Sequence, residues 1–395
     1  MTKPLPFAVR HGLPGLVGTS LMAVGALGIG WLPLTSDWSP VEFASYLRTQ
    51  NVGVVASAAF STDGSTGRIT MTPGAMAGAT LAKAAGTDWA SLSDRALYAP
   101  LGMSRTRSSY RAFMAQDNRA ISHMRGGRAW KASPLRDADL QSAAGGASSS
   151  VNDMARWLAL MLAGGRWQGQ QLVGADALRA MLSPQAPGGN YGFGINVGGR
   201  TTGGLQVFDH SGAFISGAST AITLVPGLDL GVVALTNTWP VGVPETVSRQ
   251  FIDLVEQGHV AQDWWSLFSN AFRGVLAPSG AMLGLPEPTQ PAPYQALARY
   301  AGQYGNDYLG EVRVDALRVS PGGVGRGKDL LLLTVGPDRL EHLCRHWSGD
   351  EFVFTPPDEL ASPGSLSLAR FDLNARTLWL EVYDSDGHGR LTRLG

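Results

Sequence analysis

The stretch DHSGAFISGASTAITLVPGLDLGVVALTN (residues 209–237) contains two apolar runs joined by a turn-forming sequence. The runs GASTAITLV (217–225) and LGVVALTN (230–237) are short and contain several β-branched residues, and PGLD connects them. This pattern predicts a β-hairpin. The second run is apolar enough that we expect it to be covered on both faces of a sheet.

The tripeptide His210-Ser211-Gly212 is polar, although it lies in an otherwise apolar segment just before this hairpin. One interpretation is a wall of a functional site, where the glycine lets a ligand approach the strand backbone closely. The other interpretation is a polar strand end with a hydrogen-bonded histidine. Residue types alone do not distinguish a site wall from a polar strand end, so the choice depends on the surrounding sequence.

Three other segments have helical patterns. Residues 73–86 begin with proline, end with glycine and are rich in alanine, as helices often are. Residues 150–163 have apolar residues at helical spacing after a capping-box-like start. Residues 245–277 are also predicted to be helical, with Trp264 and Trp265 anchoring their packing.

The sequence LPEPTQPAP (285–293) contains four prolines in nine residues, which is typical of a semi-rigid linker. The sequence beyond it changes to short β-rich runs separated by turn residues, which predicts a small barrel or sandwich. We therefore predict a first domain at 1–284, a linker at 285–293 and an all-β domain at 294–395.

The composition excludes some classes of function. The 395-residue chain has 31 basic and 31 acidic residues, so nothing in its charge attracts nucleic acid. Its single cysteine, Cys344, rules out an intrachain disulfide. Residues 12–34 contain no charged side chain, which indicates either a signal peptide or membrane anchor, or a buried part of the fold.

Four sequence segments, which occur in a fixed order along the chain, indicate one protein family. They are LYAPLGMSRT (97–106), AAGGASSSVNDMARWLALMLAGG (143–165), YGFGI (191–195) and the 209–237 stretch. Together they resemble the serine β-lactamases and penicillin-binding-protein-like hydrolases, including related esterases and D-aminopeptidases. The phrases YAGQY and HWSGDEFVF in 294–394 resemble the lipocalin-like domain that is often fused behind such hydrolases.

The resemblance implies an α+β fold in which an antiparallel sheet with helices packs against a helical subdomain, with the site in the groove between them. It implies acyl transfer from an amide or ester through a serine-bound intermediate, with a Ser-x-x-Lys nucleophile and a Tyr-x-Asn-type base. It also implies that His210-Ser211-Gly212 stands for the family's Lys-Thr-Gly element, where His210 or Ser211 would contact a substrate carboxylate or leaving group.

The nucleophile and the base of that family are missing here. The chain has four lysines, and none follows a serine at the required spacing; the nearest match is Thr80-x-x-Lys83. No tyrosine occurs where the base is expected, around 68–72. The phrase VRHGLPGL (9–16) resembles a family loop that lies downstream of the nucleophile, so the chain would begin after that segment. An in-frame Ser-x-x-Lys upstream of Met1 would restore the enzyme interpretation.

Other catalytic and binding patterns are absent or weak. No Gly-x-Ser-x-Gly elbow occurs. The sequence HLCRH places His342, Cys344 and His346 on one face of a strand, as metal ligands or as polar-facing histidines around a half-buried cysteine. The glycine-rich GGVGRGK (322–328) lacks the spacing of a phosphate-binding loop and is predicted to be an ordinary loop. We expect no metal or organic cofactor.

The sequence thus predicts a β-lactamase-related serine hydrolase whose activity is lost or severely impaired. The alternative is a non-catalytic binding or cell-envelope protein that uses the remnant groove or the barrel. A rearranged active site using Ser20, Ser148 or Thr80 is a third possibility. The expected partner is a small molecule or peptide, with a periplasmic or envelope location and possible membrane anchoring. The sequence leaves the oligomeric state open.

Overall fold

The computed structural model describes residues 73–126, 129–133, 137–186, 188–317, 330–336, 339–357, 360–384 and 387–395. The predictions for residues 9–16, 12–34, 68–72 and 322–328, and for Ser20, lie outside these residues. Within them, no helix is both long enough and apolar enough to span a bilayer.

The helices are α1 (Pro73–Ala84), α2 (Trp89–Ser93), a π-helical turn (Asp94–Tyr98), α3 (Ala99–Leu101), α4 (Tyr110–Met114), α5 (Ser142–Gly145), α6 (Val151–Leu162), α7 (Ala175–Met181), α8 (Val243–Gln257) and α9 (Trp264–Val275). The strands before the linker are β1 (His123–Gly126), β2 (Ala129–Ala132), β3 (Arg166–Trp167), β4 (Gln170–Gln171), β5 (Asn196–Arg200), β6 (Gln206–Phe214), β7 (Ala218–Val225) and β8 (Leu230–Thr236). Those after it are β9 (Gly302–Asn306), β10 (Gly310–Leu317), β11 (Leu330–Val335), β12 (Leu340–Ser348), β13 (Glu351–Phe354), β14 (Ser367–Asp372), β15 (Thr377–Leu380) and β16 (Arg390–Leu394).

The strands β5 to β8 form an antiparallel sheet in chain order. Helix α6 packs on one face of this sheet, where Leu158 and Leu224 share a core cluster. Helix α8 packs on the other face, where Ile252 contacts the cluster of Val207 and Val225. Successive side chains of a strand point to opposite faces, so the sheet is covered by helices on both sides.

The predicted hairpin is confirmed as β7 and β8, which pair in register from Ser219–Thr236 to Val225–Leu230. Helices lie over both faces of β8, yet every residue of this strand is only partly buried, contrary to the expectation of full cover. The reason is its position at one edge of the four strands that the described residues form.

Helix α6 confirms the prediction for 150–163. The side chain of Ser150 accepts a hydrogen bond from the backbone N–H of Asp153, which caps the first turn. The predicted helix at 245–277 is instead two helices, because Gly258 ends α8 in the left-handed region at φ 78°. Trp264 is buried as expected, whereas Trp265 is 46% exposed and is not part of the core, which corrects that prediction.

The strands β9 to β16 form a closed antiparallel barrel in which each strand pairs with its neighbour in sequence and β16 pairs with β9. The prediction of a small barrel after the linker is therefore confirmed. Its interior is a cluster of buried apolar and aromatic side chains, including Tyr300, Tyr304, Phe352 and Phe371. The rings of Tyr300 and Phe352 meet edge to face with centroids 5.2 Å apart.

The proline-rich segment 285–293 contains no helix or strand. It is attached to the barrel by backbone contacts: Ala292 N–H donates to Ser348 Oγ at 3.0 Å, and Gly349 N–H donates to the Ala292 carbonyl at 2.8 Å. The placement of the domain boundaries at 284 and 294 stays a prediction.

Candidate functional site

The predicted site tripeptide lies in the middle of β6, and its two side chains point to opposite faces of the sheet. His210 pairs with Ile222 of β7, on the face covered by α6. Ser211 pairs with Ala221 and points to the face covered by α8, where its hydroxyl donates to Glu245 Oε1. Of the two side chains, only His210 therefore faces the helical subdomain, where the resemblance places the groove.

The ring nitrogens of His210 have no polar partner among the described residues, although the residue as a whole is only partly buried. Both of its ring nitrogens are buried and make no hydrogen bond with the described part of the chain. Burial disfavours the charged imidazolium, so the pKa of His210 is lowered to about 4. The ring is therefore neutral at neutral pH, and the described residues satisfy neither its one donor nor its one acceptor.

The buried histidines predict a dependence of stability on pH. The two histidines concerned are His210 and His342 of the barrel, and burial lowers the pKa of each to about 4. Below the unfolded pKa of about 6.5, each unfolded histidine gains a proton that the folded one does not bind. The free energy of unfolding should thus fall by up to about 1.4 kcal/mol per pH unit and per histidine between pH 6.5 and 4.

Replacing His210 with leucine should remove one of these two contributions. The slope of the free energy of unfolding against pH should then decrease by up to about 1.4 kcal/mol per pH unit. Denaturant titrations at half-unit steps from pH 4 to 7 would measure the slope. His259→Leu is the matched control, since His259 is exposed and should leave the slope unchanged. An unchanged slope in the His210 variant would show that this ring titrates normally.

Ser211 belongs to a polar cluster between the sheet and α8. Burial raises the pKa of Glu245, and the hydrogen bond from Ser211 partly opposes this shift. The other carboxyl oxygen of Glu245 is buried and has no partner in the described residues. In the same cluster Arg249 forms an ion pair with Asp209 at 2.7 Å.

The cluster around Glu245 was missed by sequence reasoning. Its members on α8 are Glu245, Arg249 and Asp253, which repeat every four residues along the helix. Such a polar row at helical spacing is a signal that a buried network faces the sheet. Asp253 accordingly accepts a hydrogen bond from Trp264 Nε1 at 2.7 Å.

Gly212 and Gly217 both lie where side chains would be crowded. A Cβ on Gly212 would lie 3.0 Å from Thr220 Oγ1, so a larger residue here would press against the neighbouring strand β7. Gly217 turns the chain from β6 to β7 at φ 108°, and a Cβ there would lie 2.6 Å from the backbone of His123. The turn therefore packs directly against β1.

Two further hydroxyls considered as nucleophiles, those of Thr80 and Ser148, lie in the described part of the chain. Thr80 lies inside α1, and Lys83, one turn on, is exposed in its last turn. The Ser148 hydroxyl donates to the Arg107 carbonyl at 3.4 Å, and no base contacts it among the described residues. Within the part of the chain that the structure describes, Ser148 therefore does not form the hydroxyl–amine pair that acyl transfer requires.

The HLCRH segment lies in β12, with His342 and Cys344 inside the barrel. His342 Nε2 is 2.8 Å from the Tyr383 hydroxyl, and burial raises the pKa of the Cys344 thiol. His346 instead donates to the Gly349 carbonyl at 3.1 Å. Among the described residues, no three His, Cys, Asp or Glu side chains cluster closely enough to hold a metal ion.

Comparison with known proteins agrees with this geometry. Residues 71–257 match the Beta-lactamase family. The helix-covered sheet and this match define a β-lactamase-type α+β domain. The chain belongs to the family of serine β-lactamases and penicillin-binding-protein-like hydrolases, and a lipocalin-like barrel follows its family domain.

Similar solved structures include the C-terminal domain of penicillin binding protein Rv0907, with 40% identity and a TM-score of 0.23 over 28% of this chain and 96% of that one. The octameric penicillin-binding protein homologue from Pyrococcus abyssi has 16% identity and a TM-score of 0.41 over 91% and 71%. A D-stereospecific amidohydrolase from Streptomyces sp. has 18% identity and a TM-score of 0.37 over 58% and 65%. No curated protein matches the chain significantly.

Proposed function

We propose that this chain binds a peptide, ester or β-lactam beside β6 of its β-lactamase-type domain and does not hydrolyse it. The observation that carries the proposal is the absence of any Ser-x-x-Lys from the 395-residue sequence. The family reaction needs a serine hydroxyl whose proton a neighbouring amine can take, since an unassisted hydroxyl is a poor nucleophile.

The engagement of the remaining hydroxyls supports the loss of catalysis. Ser211 donates to Glu245 on the far face of the sheet, away from His210. Ser148 contacts a backbone carbonyl, and the Thr80–Lys83 pair ends in an exposed lysine. Among the described residues, no amine is hydrogen-bonded to the Ser148 or Ser211 hydroxyl.

The state of His210 supports binding of an uncharged group. A lysine at this position would pair with a carboxylate, whereas a neutral imidazole can only donate one hydrogen bond and accept another. Amide and ester groups offer the matching acceptor, and amides also offer a donor. The ligand class that fits β6 is therefore an acyl compound held through its carbonyl rather than through a charge.

The barrel is the weaker candidate for the binding site. Its described interior is occupied by a continuous cluster of buried side chains, with Tyr300, Phe352 and Leu331 each at 0% exposure. A ligand there would have to displace packed aromatic rings, which costs several kcal/mol for each ring (about 3–5).

The first test is turnover by the full chain. We expect no hydrolysis of nitrocefin or p-nitrophenyl acetate above the buffer rate, and no covalent labelling by a fluorophosphonate or a fluorescent penicillin. Turnover accompanied by a labelled serine or threonine, located by mass spectrometry, would overturn the proposal.

The second test is binding. Calorimetry with penicillin G and N-acetyl-dialanine should give saturable binding without heat from turnover. His210→Ala should weaken it by about tenfold, as expected for the loss of one ligand hydrogen bond. His259→Ala, which removes an exposed histidine, is the control and should bind as the parent does. Equal affinities of the His210 variant and the parent would place the ligand elsewhere.

A further inference from the structure

A concave site lies in the helical subdomain and shares no residue with β6. It is a cavity of about 570 Å³ between the α2–π turn–α3 segment, the loop after α3 and the start of α4. This volume is within the roughly 300–1,000 Å³ of small-molecule sites. Its polar lining includes Ser91, Asp94, Ser104, Arg107 and Ser109.

Arg107 is held in place on one wall of this cavity. Its backbone pairs with Ser148 in both directions, at 2.9 and 2.8 Å, and its Nη1 donates to the Thr106 carbonyl at 2.6 Å. The side chain is half-buried, and no carboxylate of the described residues pairs with it. Its remaining guanidinium donors are therefore available to a ligand carboxylate, which such a planar fork binds in a bidentate manner.

Asp94 supplies the opposite charge. It begins the π-helical turn, and no cation of the described residues forms an ion pair with it. Its charge acts on Tyr98, another lining residue: it adds to the raised pKa of the Tyr98 hydroxyl, which is mainly due to burial. Single π-helical turns are rare and are frequent at functional sites, because they displace side chains from the regular helix surface.

From these observations we propose that this cavity binds a zwitterion, namely a free amino acid or short peptide. Arg107 receives the ligand carboxylate and Asp94 receives its ammonium group, while the hydroxyls of Ser104 and Ser109 contact the atoms between them. One unpaired charge of each sign in a single cavity fits a ligand that carries both charges. A ligand with one charge would leave the other residue unpaired. The site is independent of the binding proposed beside β6.

The test uses alanyl-alanine and two blocked forms, N-acetyl-alanyl-alanine and alanyl-alanine amide, titrated into the full chain by NMR or calorimetry. The free dipeptide should bind at least about tenfold more tightly than either blocked form, because each blocked form loses one charged contact. In the Asp94→Asn variant, the free dipeptide should no longer bind more tightly than N-acetyl-alanyl-alanine, but it should still bind more tightly than the amide. In the Arg107→Gln variant, the free dipeptide should no longer bind more tightly than alanyl-alanine amide, but it should still bind more tightly than the acetylated form.

Arg95→Gln is the matched control, since Arg95 lies in the same turn, is exposed and does not line the cavity. It should bind all three peptides as the parent does. Circular dichroism and melting temperature would confirm that both cavity variants fold. Equal binding of the three peptides by the parent, or no saturable binding, would overturn the proposal. So would retention of both preferences in the folded Asp94 and Arg107 variants.

Discussion

Replacing Asp153 with alanine is expected to lower the free energy of unfolding by about 1–3 kcal/mol for each of the two neutral donors that lose their acceptor. Asp153 is 2% exposed. Its carboxylate accepts hydrogen bonds from the Arg105 backbone N–H at 2.7 Å and from Thr106 Oγ1 at 2.9 Å. It also forms an ion pair with Arg156 at 2.9 Å.

The matched control is Asp176→Ala. Asp176 forms the same kind of pair with Arg179, three residues on and at 2.8 Å, but the two side chains are 94% and 74% exposed. Its loss should change the free energy of unfolding by less than about 0.5 kcal/mol. Denaturant unfolding followed by tryptophan fluorescence would compare the two, and similar losses in both variants would contradict the role given to burial.

The Asp153 variant should also lose the cavity around Arg107. Asp153 fixes Arg105 and Thr106, the two residues that precede Arg107 in the chain. Without these contacts the loop is no longer held against α6. Dipeptide binding should therefore fall further than in the Arg107→Gln variant, even at a temperature where the rest of the chain stays folded.

Phe352→Ala is expected to destabilise the barrel by about 3–5 kcal/mol, since it opens a cavity at the centre of a packed aromatic cluster. Phe352 is 0% exposed, and its ring lies 5.2 Å from Tyr300 and 5.7 Å from Phe371 by centroid. Leu343 on the neighbouring strand β12 offers a control, because its side chain is 43% exposed.

Leu343→Ala should cost well under about 1 kcal/mol, because little apolar area is lost from the interior. Hydrogen exchange of the barrel amides would measure both variants without requiring the rest of the chain to unfold at the same time. Protection lost equally in the two variants would show that the aromatic cluster does not dominate barrel stability.

Local patterns predicted most of the secondary structure. The hairpin of β7 and β8 and the capped helix α6 follow from periodicity and turn chemistry within short windows, and the structure confirms both. Trp265 shows the limit of this reasoning, because the large size of a side chain does not tell which face of a helix the core covers.

The arrangement of the site depended on contacts between distant parts of the chain. Strand alternation alone separates His210 from Ser211, although the sequence pattern treats them as one motif. The partner of Ser211 is Glu245, 34 residues later on a helix whose docking no local pattern encodes. The cavity between Asp94 and Arg107 likewise depends on a π-helical turn, for which the sequence carries no recognised signal.

The barrel topology has a consequence for how this part of the chain reaches its native state. Seven of its eight strand pairs join sequence neighbours, so they can form as successive local hairpins at little entropic cost. The eighth pair joins β9 to β16, with Gln303 opposite Leu394, and can form only when the first and last strands of the barrel come together. We therefore expect the pairing of β9 with β16 to be the slowest step in refolding of the barrel.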